Sequence, residues 1–372
     1  MKRTVLLLLT IALVAVACST EEATDAASNA SNAVDESAPA ATVASEDEVT
    51  SDTTSTTTTT AVPETTAPPT SALATEPRSL EPDCGAVGQV AVGLTSGAFV
   101  SGGNEYQYRW TVPSTYTGEP IPVVLDFHGL GSNGAQQAVF SGWAAKAEQE
   151  GFLSVQPTGL APPGSRTSWE LPQFDDAQRD DVRMVTDLLD LISANVCIDP
   201  ARVYSTGMSN GGFFTSELVC DLSGRIAAAA SVAGLTHHES CMPTRPVPFL
   251  AFHGTADEVV PFDGSGVSTL DPTGASSEFF SQVMPLEFEE FALDFGCQSS
   301  TDTAITAEVT LTSYNDCAQN VELGFYTVEG GGHTWPGSPV SAGLTSFGVT
   351  NTDINATDIA WEFFSRHSLV AG

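Results

Sequence analysis

The feature that most constrains this chain is a strand that runs directly into a glycine-flanked serine and then into a helix. Residues 202–206 form the predicted strand, the turn is Gly207-Met208-Ser209-Asn210-Gly211-Gly212, and the helix is expected to begin near Phe213. A turn this sharp accommodates only small residues two positions before and after the serine, which explains the glycines. A strand followed so closely by a helix is typical of a parallel sheet covered by helices.

Beyond residue 80, short apolar runs alternate with amphipathic stretches in the same way. Alternation at residues 106–112 predicts a half-exposed strand, and the continuous run 122–127 predicts a buried one. Four further buried strands are predicted, at 152–155, 227–232, 249–252 and 323–328. Helical spacing occurs at 182–192, 288–295 and 356–367, the last with Trp361 and Phe364 turned inward. Residues 81–372 are therefore predicted to form one α/β domain, a mostly parallel central sheet with helices on both faces.

The first 80 residues have a different composition. Residues 1–17 combine Lys2 and Arg3 with an apolar run, which predicts a signal peptide. Ala15-Val16-Ala17 precedes Cys18 and resembles the site at which bacterial lipoproteins are cleaved and acylated on cysteine; a plain secretory signal is the alternative. Residues 18–80 contain no aromatic residue and are dominated by Ala, Thr, Ser and acidic residues, which predicts a disordered tether.

The balance of charge excludes some partners. The formal net charge is −34, from 12 basic and 46 acidic residues, so nucleic acid is not an expected partner. A cationic substrate is one explanation of the charge, and solubility at high salt is the other. We predict no metal site, because the histidines and cysteines lack the spacing of zinc sites apart from the adjacent His237 and His238.

Six cysteines remain after Cys18, and an even number in an exported chain predicts disulfides. Six cysteines allow fifteen connectivities. Short loops favour Cys220 with Cys241 and Cys297 with Cys317, which leaves Cys84 with Cys197.

The turn at Ser209 is a candidate nucleophile site, because a serine hydroxyl needs only a base and a carboxylate that orients the base. On such turns the acid and then the histidine follow the serine along the chain. His333 follows a predicted strand within Gly330-Gly331-Gly332-His333, where the glycines free the backbone to bring the ring to the serine. His253 is predicted to brace a strand end, and the other downstream histidines are predicted to lie at the surface: His237, His238 and His367.

The orienting acid is expected at the end of a strand between Ser209 and His333. Asp257 follows the run 249–252 and fits this position, while Glu258 and Asp263 are rivals in an acidic chain. An oxyanion formed at Ser209 needs backbone N–H donors already in place. Leu130, which follows the buried strand 122–127, and Asn210 are the predicted donors. His128 is expected to shape this loop, with substrate contact as the alternative.

These blocks resemble the polyhydroxybutyrate depolymerase and feruloyl esterase family of α/β-hydrolases, including its actinobacterial lipoprotein members. The resemblance rests on Leu125-Asp126-Phe127-His128-Gly129, on the turn at Ser209 with residues 199–204 before it, on His253-Gly254-Thr255-Ala256-Asp257, and on residues 329–337 around His333. It implies the α/β-hydrolase fold, a triad of Ser209, Asp257 and His333, and no cofactor.

Substrate contacts are less determined by the sequence. Trp169 and Trp335 are expected either to stack on an aromatic acyl group or a sugar or to pack in the core. The family often has an asparagine-bearing segment after the tryptophan that corresponds to Trp169, whereas this chain has Glu170-Leu171-Pro172. Residues 263–285, with Phe279, Phe280 and Met284, are expected to form either a rim over the pocket or a packed surface loop.

The sequence therefore predicts an extracellular serine carboxylic ester hydrolase, held at the membrane only by its lipid. Expected substrates are feruloyl or acetyl esters of polysaccharide, or a polyester such as polyhydroxybutyrate. Two alternatives stay open: a peptidase on the same scaffold, and a non-catalytic lipoprotein that binds cell-wall polymer through Trp169 and Trp335. The oligomeric state is not predicted.

Overall fold

The computed structural model describes residues 84, 90–161, 165–171, 179–266, 268–269 and 279–370. The predicted signal peptide at 1–17, the predicted lipidation of Cys18 and the predicted tether at 18–80 lie outside these described residues. Part of the segment 263–285 also lies outside them. Of its other residues, Phe280 and Met284 are buried in the core.

Ten strands of the described chain form one sheet, in the order β1-β2-β4-β3-β5-β6-β7-β10-β9-β8. They are β1 (Gly93–Ser101), β2 (Asn104–Val112), β3 (Ile121–Phe127), β4 (Leu153–Thr158), β5 (Ile198–Met208), β6 (Ala228–Val232), β7 (Phe249–Gly254), β8 (Ser299–Ala304), β9 (Val309–Asn315) and β10 (Leu323–Val328). The six central strands run parallel, and one antiparallel hairpin lies on each lateral side of them.

Seven α-helices occur in the described chain, five between strands and two after β10. They are α1 (Gly134–Ser141), α2 (Trp143–Glu150), α3 (Asp181–Asn195), α4 (Asn210–Asp221), α5 (Met284–Asp294), α6 (Pro339–Ala342) and α7 (Ala356–Phe364). None of the helices in the described ranges has the length and apolar character required to cross a membrane.

Two hydrophobic clusters show that helices cover both faces of the sheet. Successive side chains of a strand point to opposite faces, and Leu125 accordingly packs in one cluster while its neighbour Val124 packs in the other. The first cluster contains apolar residues of α3, α4 and α5, and the second contains apolar residues of α2 and α7. Together with the strand order, this arrangement confirms the expected α/β-hydrolase fold.

The boundaries differ from the predicted ones where local contacts extend or end an element. The strand predicted at 202–206 runs from Ile198 to Met208, and α4 begins at Asn210 rather than near Phe213. It begins earlier because the carbonyl of Ser209 already accepts the N–H groups of Gly212 and Phe213, at 2.7 and 2.9 Å. The last helix ends at Phe364 rather than at residue 367; Phe364 is buried, and Trp361 is half-buried and stacks on Phe152.

Disulfides, predicted from the even number of cysteines, are present in the structure. They join Cys84 to Cys197, Cys220 to Cys241 and Cys297 to Cys317. The second bond ties the end of α4 to the segment before β7. The third ties the end of α5 to the segment before β10.

Candidate active site

Ser209 occupies a strained turn between β5 and α4. Its backbone angles are φ 55° and ψ −123°, a conformation that residues other than glycine rarely adopt. A Cβ atom on Gly207 would overlap the Gly211 carbonyl, and one on Gly211 would overlap the Phe127 carbonyl at the end of β3. The glycines are therefore required because three backbone segments meet around the serine.

The sheet brings the three predicted triad positions to one edge, the edge formed by the carboxyl ends of its parallel strands. Met208 of β5 pairs with Val232 of β6, which pairs with Phe252 of β7, and Gly254 of β7 pairs with Val328 of β10. Since these strands are parallel, the segments that follow them leave from the same edge. Ser209, Asp257 and His333 all lie within five residues after those strands.

Asp257 and His333 form a buried hydrogen bond. His333 Nδ1 lies 2.8 Å from Asp257 Oδ2, and both side chains are almost fully shielded from solvent. The other carboxylate oxygen, Oδ1, accepts the backbone N–H groups of Val259 and Val260, each at 2.8 Å. The carboxylate is thus held with one oxygen on the backbone and the other facing the imidazole.

His253, predicted from the sequence only to brace a strand end, also lies against this carboxylate. Its Nε2 donates to the Val260 carbonyl at 2.9 Å and lies 3.4 Å from Asp257 Oδ2. Burial by itself would raise the pKa of Asp257, but the charge of His333 and the hydrogen bonds from His253 and His333 outweigh it. They hold the pKa of this carboxyl well below its usual range, so Asp257 is ionised at neutral pH.

The rival acids and the other downstream histidines have different surroundings. Glu258 and Asp263 are exposed. His237 pairs with Asp294, and His238 lies 3.2 Å from Glu217 Oε2.

Among the described residues, Ser209 and His333 make no hydrogen bond with each other. Contacts between a nucleophile and its base are often long in the absence of substrate.

The loop after β3 lies directly against Ser209. A Cβ atom on Gly129 would come within 3.3 Å of the Ser209 Cβ and 3.8 Å of its Oγ. The backbone N–H groups of Leu130 and Asn210 donate to no protein group among the described residues. The backbone N–H of Asn210 is one of the unpaired donors at the start of α4, and donors at the start of a helix attract negatively charged groups.

His128 is fully buried, and its hydrogen bonds define its protonation. Nε2 accepts the N–H of Gly159 at 2.9 Å, so the proton resides on Nδ1, which donates to the Gly129 carbonyl at 2.7 Å. Burial lowers the pKa of His128 to about 4 although the bond to Gly129 acts in the opposite direction. The ring is neutral at neutral pH and is fully shielded from solvent, which favours the loop-shaping role over substrate contact.

Of the two alternatives for Trp169 and Trp335, stacking on a ligand or packing in the core, burial favours packing in the core. Both side chains are 1% exposed. Trp169 is stacked on Phe214 and meets Phe127 edge-on, whereas Trp335 packs in the core cluster on the other face of the sheet. Neither ring presents a face to solvent, because distant helices and strands cover them.

One group of potential metal ligands occurs among the described residues. Cys220, Cys241 and His238 place their donor atoms within 4.8 Å of one another. The two sulfur atoms are joined in a disulfide, however, so neither is available as a thiolate, which is the form that binds metal.

Comparison with known proteins identifies relatives of this chain, although no family model matches it. The chain is 31% identical over 228 residues to feruloyl esterase B of Piromyces equi, which covers 59% of this chain and 41% of that protein. It is 29% identical over 266 residues to the putative esterase NocK of Nocardia uniformis subsp. tsuyamanensis, which covers 68% and 75%. This chain is a relative of the feruloyl esterases.

A third relative of this chain has two activities in its name. It is the bifunctional acetylxylan esterase/xylanase XynS20E of Neocallimastix patriciarum, 26% identical over 229 residues, or 60% of this chain and 30% of that protein. The chain spans less than half the length of the first and third of these relatives. The polyhydroxybutyrate depolymerase part of the resemblance is represented by none of the three and stays a prediction.

Proposed function

We propose that this relative of the feruloyl esterases is a serine carboxylic ester hydrolase that acts through an acyl-enzyme at Ser209. The observation that carries the proposal is the buried hydrogen bond between Asp257 and His333, at the sheet edge where Ser209 occupies its strained turn. The names of the relatives support ester hydrolysis as the reaction.

In this mechanism, Ser209 Oγ attacks the ester carbonyl carbon while His333 Nε2 takes the hydroxyl proton. His333 Nδ1–H donates to Asp257, whose negative charge stabilises the imidazolium that forms. The carbonyl oxygen becomes an oxyanion that accepts the N–H groups of Leu130 and Asn210. The bond to the alcohol then breaks, and the alcohol leaves with the proton from His333.

Water completes the turnover by the same route. His333 takes a proton from a water molecule, the hydroxide attacks the acyl-enzyme carbonyl, and the acid leaves as Ser209 recovers its proton. The backbone bonds to Asp257 Oδ1 support this assignment, because they keep Oδ2 turned toward His333 through both steps. His128 is neutral and buried, so it does not compete for these protons.

The proposed substrates are feruloyl or acetyl esters of polysaccharide, with a polyester such as polyhydroxybutyrate as the alternative. A feruloyl esterase and an acetylxylan esterase among the relatives favour the first class. Comparing hydrolysis of methyl ferulate, acetylated xylan and emulsified polyhydroxybutyrate by one preparation distinguishes the two classes.

We place the enzyme outside the cytoplasm. The three disulfides support this location, because such bonds persist in oxidising compartments. The predicted signal peptide and Cys18 support attachment to the membrane through a lipid, and the predicted tether at 18–80 would let the domain reach polymer beyond it.

The reaction is tested with p-nitrophenyl acetate. Ser209→Ala is expected to lower kcat by several orders of magnitude, on the order of 10⁶ in a comparable triad. The control is Ser216→Ala, a buried serine further along α4 whose hydroxyl bonds only within the protein, to the Gly212 carbonyl and the Thr236 N–H. A fluorophosphonate probe should label the native protein and not Ser209→Ala. Equal turnover by the native protein and Ser209→Ala would overturn the proposal, and so would turnover absent from both.

A further inference from the structure

The indole of Trp169 is bonded to the loop that carries one proposed oxyanion donor. Its Nε1 donates to the His128 carbonyl at 2.8 Å. The next peptide is held as well, because His128 Nδ1 donates to the Gly129 carbonyl at 2.7 Å. The C=O and N–H of one planar peptide point in opposite directions, so fixing the Gly129 carbonyl also fixes the direction of the Leu130 N–H.

The main chain of Trp169 is bonded to the residue that carries the other donor. Its N–H donates to Asn210 Oδ1 at 2.6 Å, and its carbonyl accepts from Asn210 Nδ2 at 3.2 Å. These two bonds pair the Asn210 side-chain amide with the backbone of Trp169. They restrain the first residue of α4, whose N–H is the second proposed donor.

Trp169 is itself held rigidly, as a bridging residue must be. Its ring stacks on Phe214 of α4 and meets Phe127 of β3 edge-on, with ring centroids 5.3 and 5.2 Å apart. The residues on either side are also anchored: the Ser168 carbonyl accepts from Arg179 Nη2 at 2.7 Å, and the Glu170 N–H donates to Asp181 at 2.8 Å.

We propose that Trp169 is a positioning residue that holds the two halves of the oxyanion hole in a fixed relation to each other. The Leu130 half belongs to the connection after β3, and the Asn210 half belongs to the start of α4 after β5. The sheet pairs β3 with β5 as far as Phe127 and Gly207, so beyond that point the two amides depend on other contacts for their relative position. Trp169 bonds to both segments through separate atoms. This inference rests on the proposed function, because it assigns a role within that same site.

The test removes the indole N–H and keeps an aromatic side chain at position 169. The variants are Trp169→Phe and replacement of Trp169 by 3-benzothienylalanine, in which a sulfur atom takes the place of the N–H with almost no change of shape. The matched control is the same pair of changes at Trp143, which is fully buried but whose Nε1 has no hydrogen-bond partner among the described residues. Each protein is measured for Tm, for kcat and KM with p-nitrophenyl acetate, and for inhibition by a boronic acid that forms a tetrahedral adduct with Ser209.

The change at Trp169 is expected to lower kcat about 10- to 100-fold with KM unchanged. The N–H donors act on the transition state rather than on the bound ester, so moving them out of place weakens only transition-state stabilisation. Boronate binding should weaken by a similar factor. Trp143→Phe should lower Tm because it leaves a cavity in the core. The benzothienylalanine replacement at Trp143 should not lower Tm, because it removes a buried donor without a partner among the described residues, and neither change should alter kcat. If Trp169→Phe does not fold, the benzothienylalanine protein decides.

Equal kcat values for the Trp169 and Trp143 proteins would overturn the positioning role. A change at Trp169 that alters only KM or only Tm would overturn it as well. The proposed function would fail in a different way, since the native protein would then show no turnover that depends on Ser209.

Discussion

A buried carboxyl group in β3 makes the stability of this fold depend on pH. Asp126 is fully buried and accepts Gln137 Nε2 at 2.7 Å, Ser141 Oγ at 2.6 Å and Gln156 Nε2 at 3.4 Å. Burial raises its pKa from 3.8 to about 7, although the three hydrogen bonds act in the opposite direction. We expect Asp126→Asn, which keeps the shape and removes the charge, to abolish this part of the pH dependence.

The sign follows from the number of protons bound in each state. Between the unfolded value of 3.8 and the folded value of about 7, the folded protein keeps the Asp126 proton and the unfolded chain has lost it. The free energy of unfolding therefore falls as pH rises through this range, by about 1.4 kcal/mol per pH unit and about 4 kcal/mol in total. Above the folded pKa the loss is complete and constant. The stability of Asp126→Asn relative to the native protein should rise by this amount.

Urea unfolding followed by tryptophan fluorescence measures the effect in both proteins. From about pH 5 to about pH 8, the difference in unfolding free energy should shift by about 3 kcal/mol in favour of Asp126→Asn. Asp263→Asn removes the same charge at an exposed position and controls for the change in net charge. A difference that stays constant with pH, or one that shifts toward the native protein, would refute the reasoning.

Two further predictions concern the proposed acid and the proposed anchor. Asp257→Asn should lower kcat by about 10⁴, because an amide facing His333 Nδ1 favours the tautomer whose Nε2 cannot accept the Ser209 proton; Glu258→Gln should retain activity, and the reverse result would make Glu258 the acid. Cys18→Ala should release the esterase from the membrane fraction into the medium without changing kcat, as measured by activity in the two fractions, and activity that stays with the membrane would count against a lipid on Cys18.

Much of the fold was predictable because its signals are local. A strand buried on both faces requires a continuous apolar run, and β3 and β10 lie at or within one residue of their predicted positions. The edge hairpin β8–β9 was not predicted, since β8 is exposed along its whole length and lacks an apolar pattern. The last helix ends earlier than its pattern indicated, because the N–H groups of Arg366 and His367 donate to carbonyls three residues back, those of Phe363 and Phe364, in a tight turn.

The acid and the tryptophans mark the limit of sequence reasoning. Asp257, Glu258 and Asp263 are chemically similar acids within seven positions, and only burial against His333 and His253 separates the first from the other two. Trp169 and Trp335 lie next to segments of the site and could equally have lined a pocket. Their burial depends on which distant helix or strand covers them.

The sequence alone determined the strand, the serine turn and the helix that follows it, because the steric limit on a turn leaves only glycine at its flanks. It also determined that serine, acid and histidine follow one another at the ends of parallel strands. The tertiary structure decided that His333 faces Asp257 and that Trp169 joins β3 to α4, since those contacts form between residues 41 or more positions apart and leave no periodic signal along the chain.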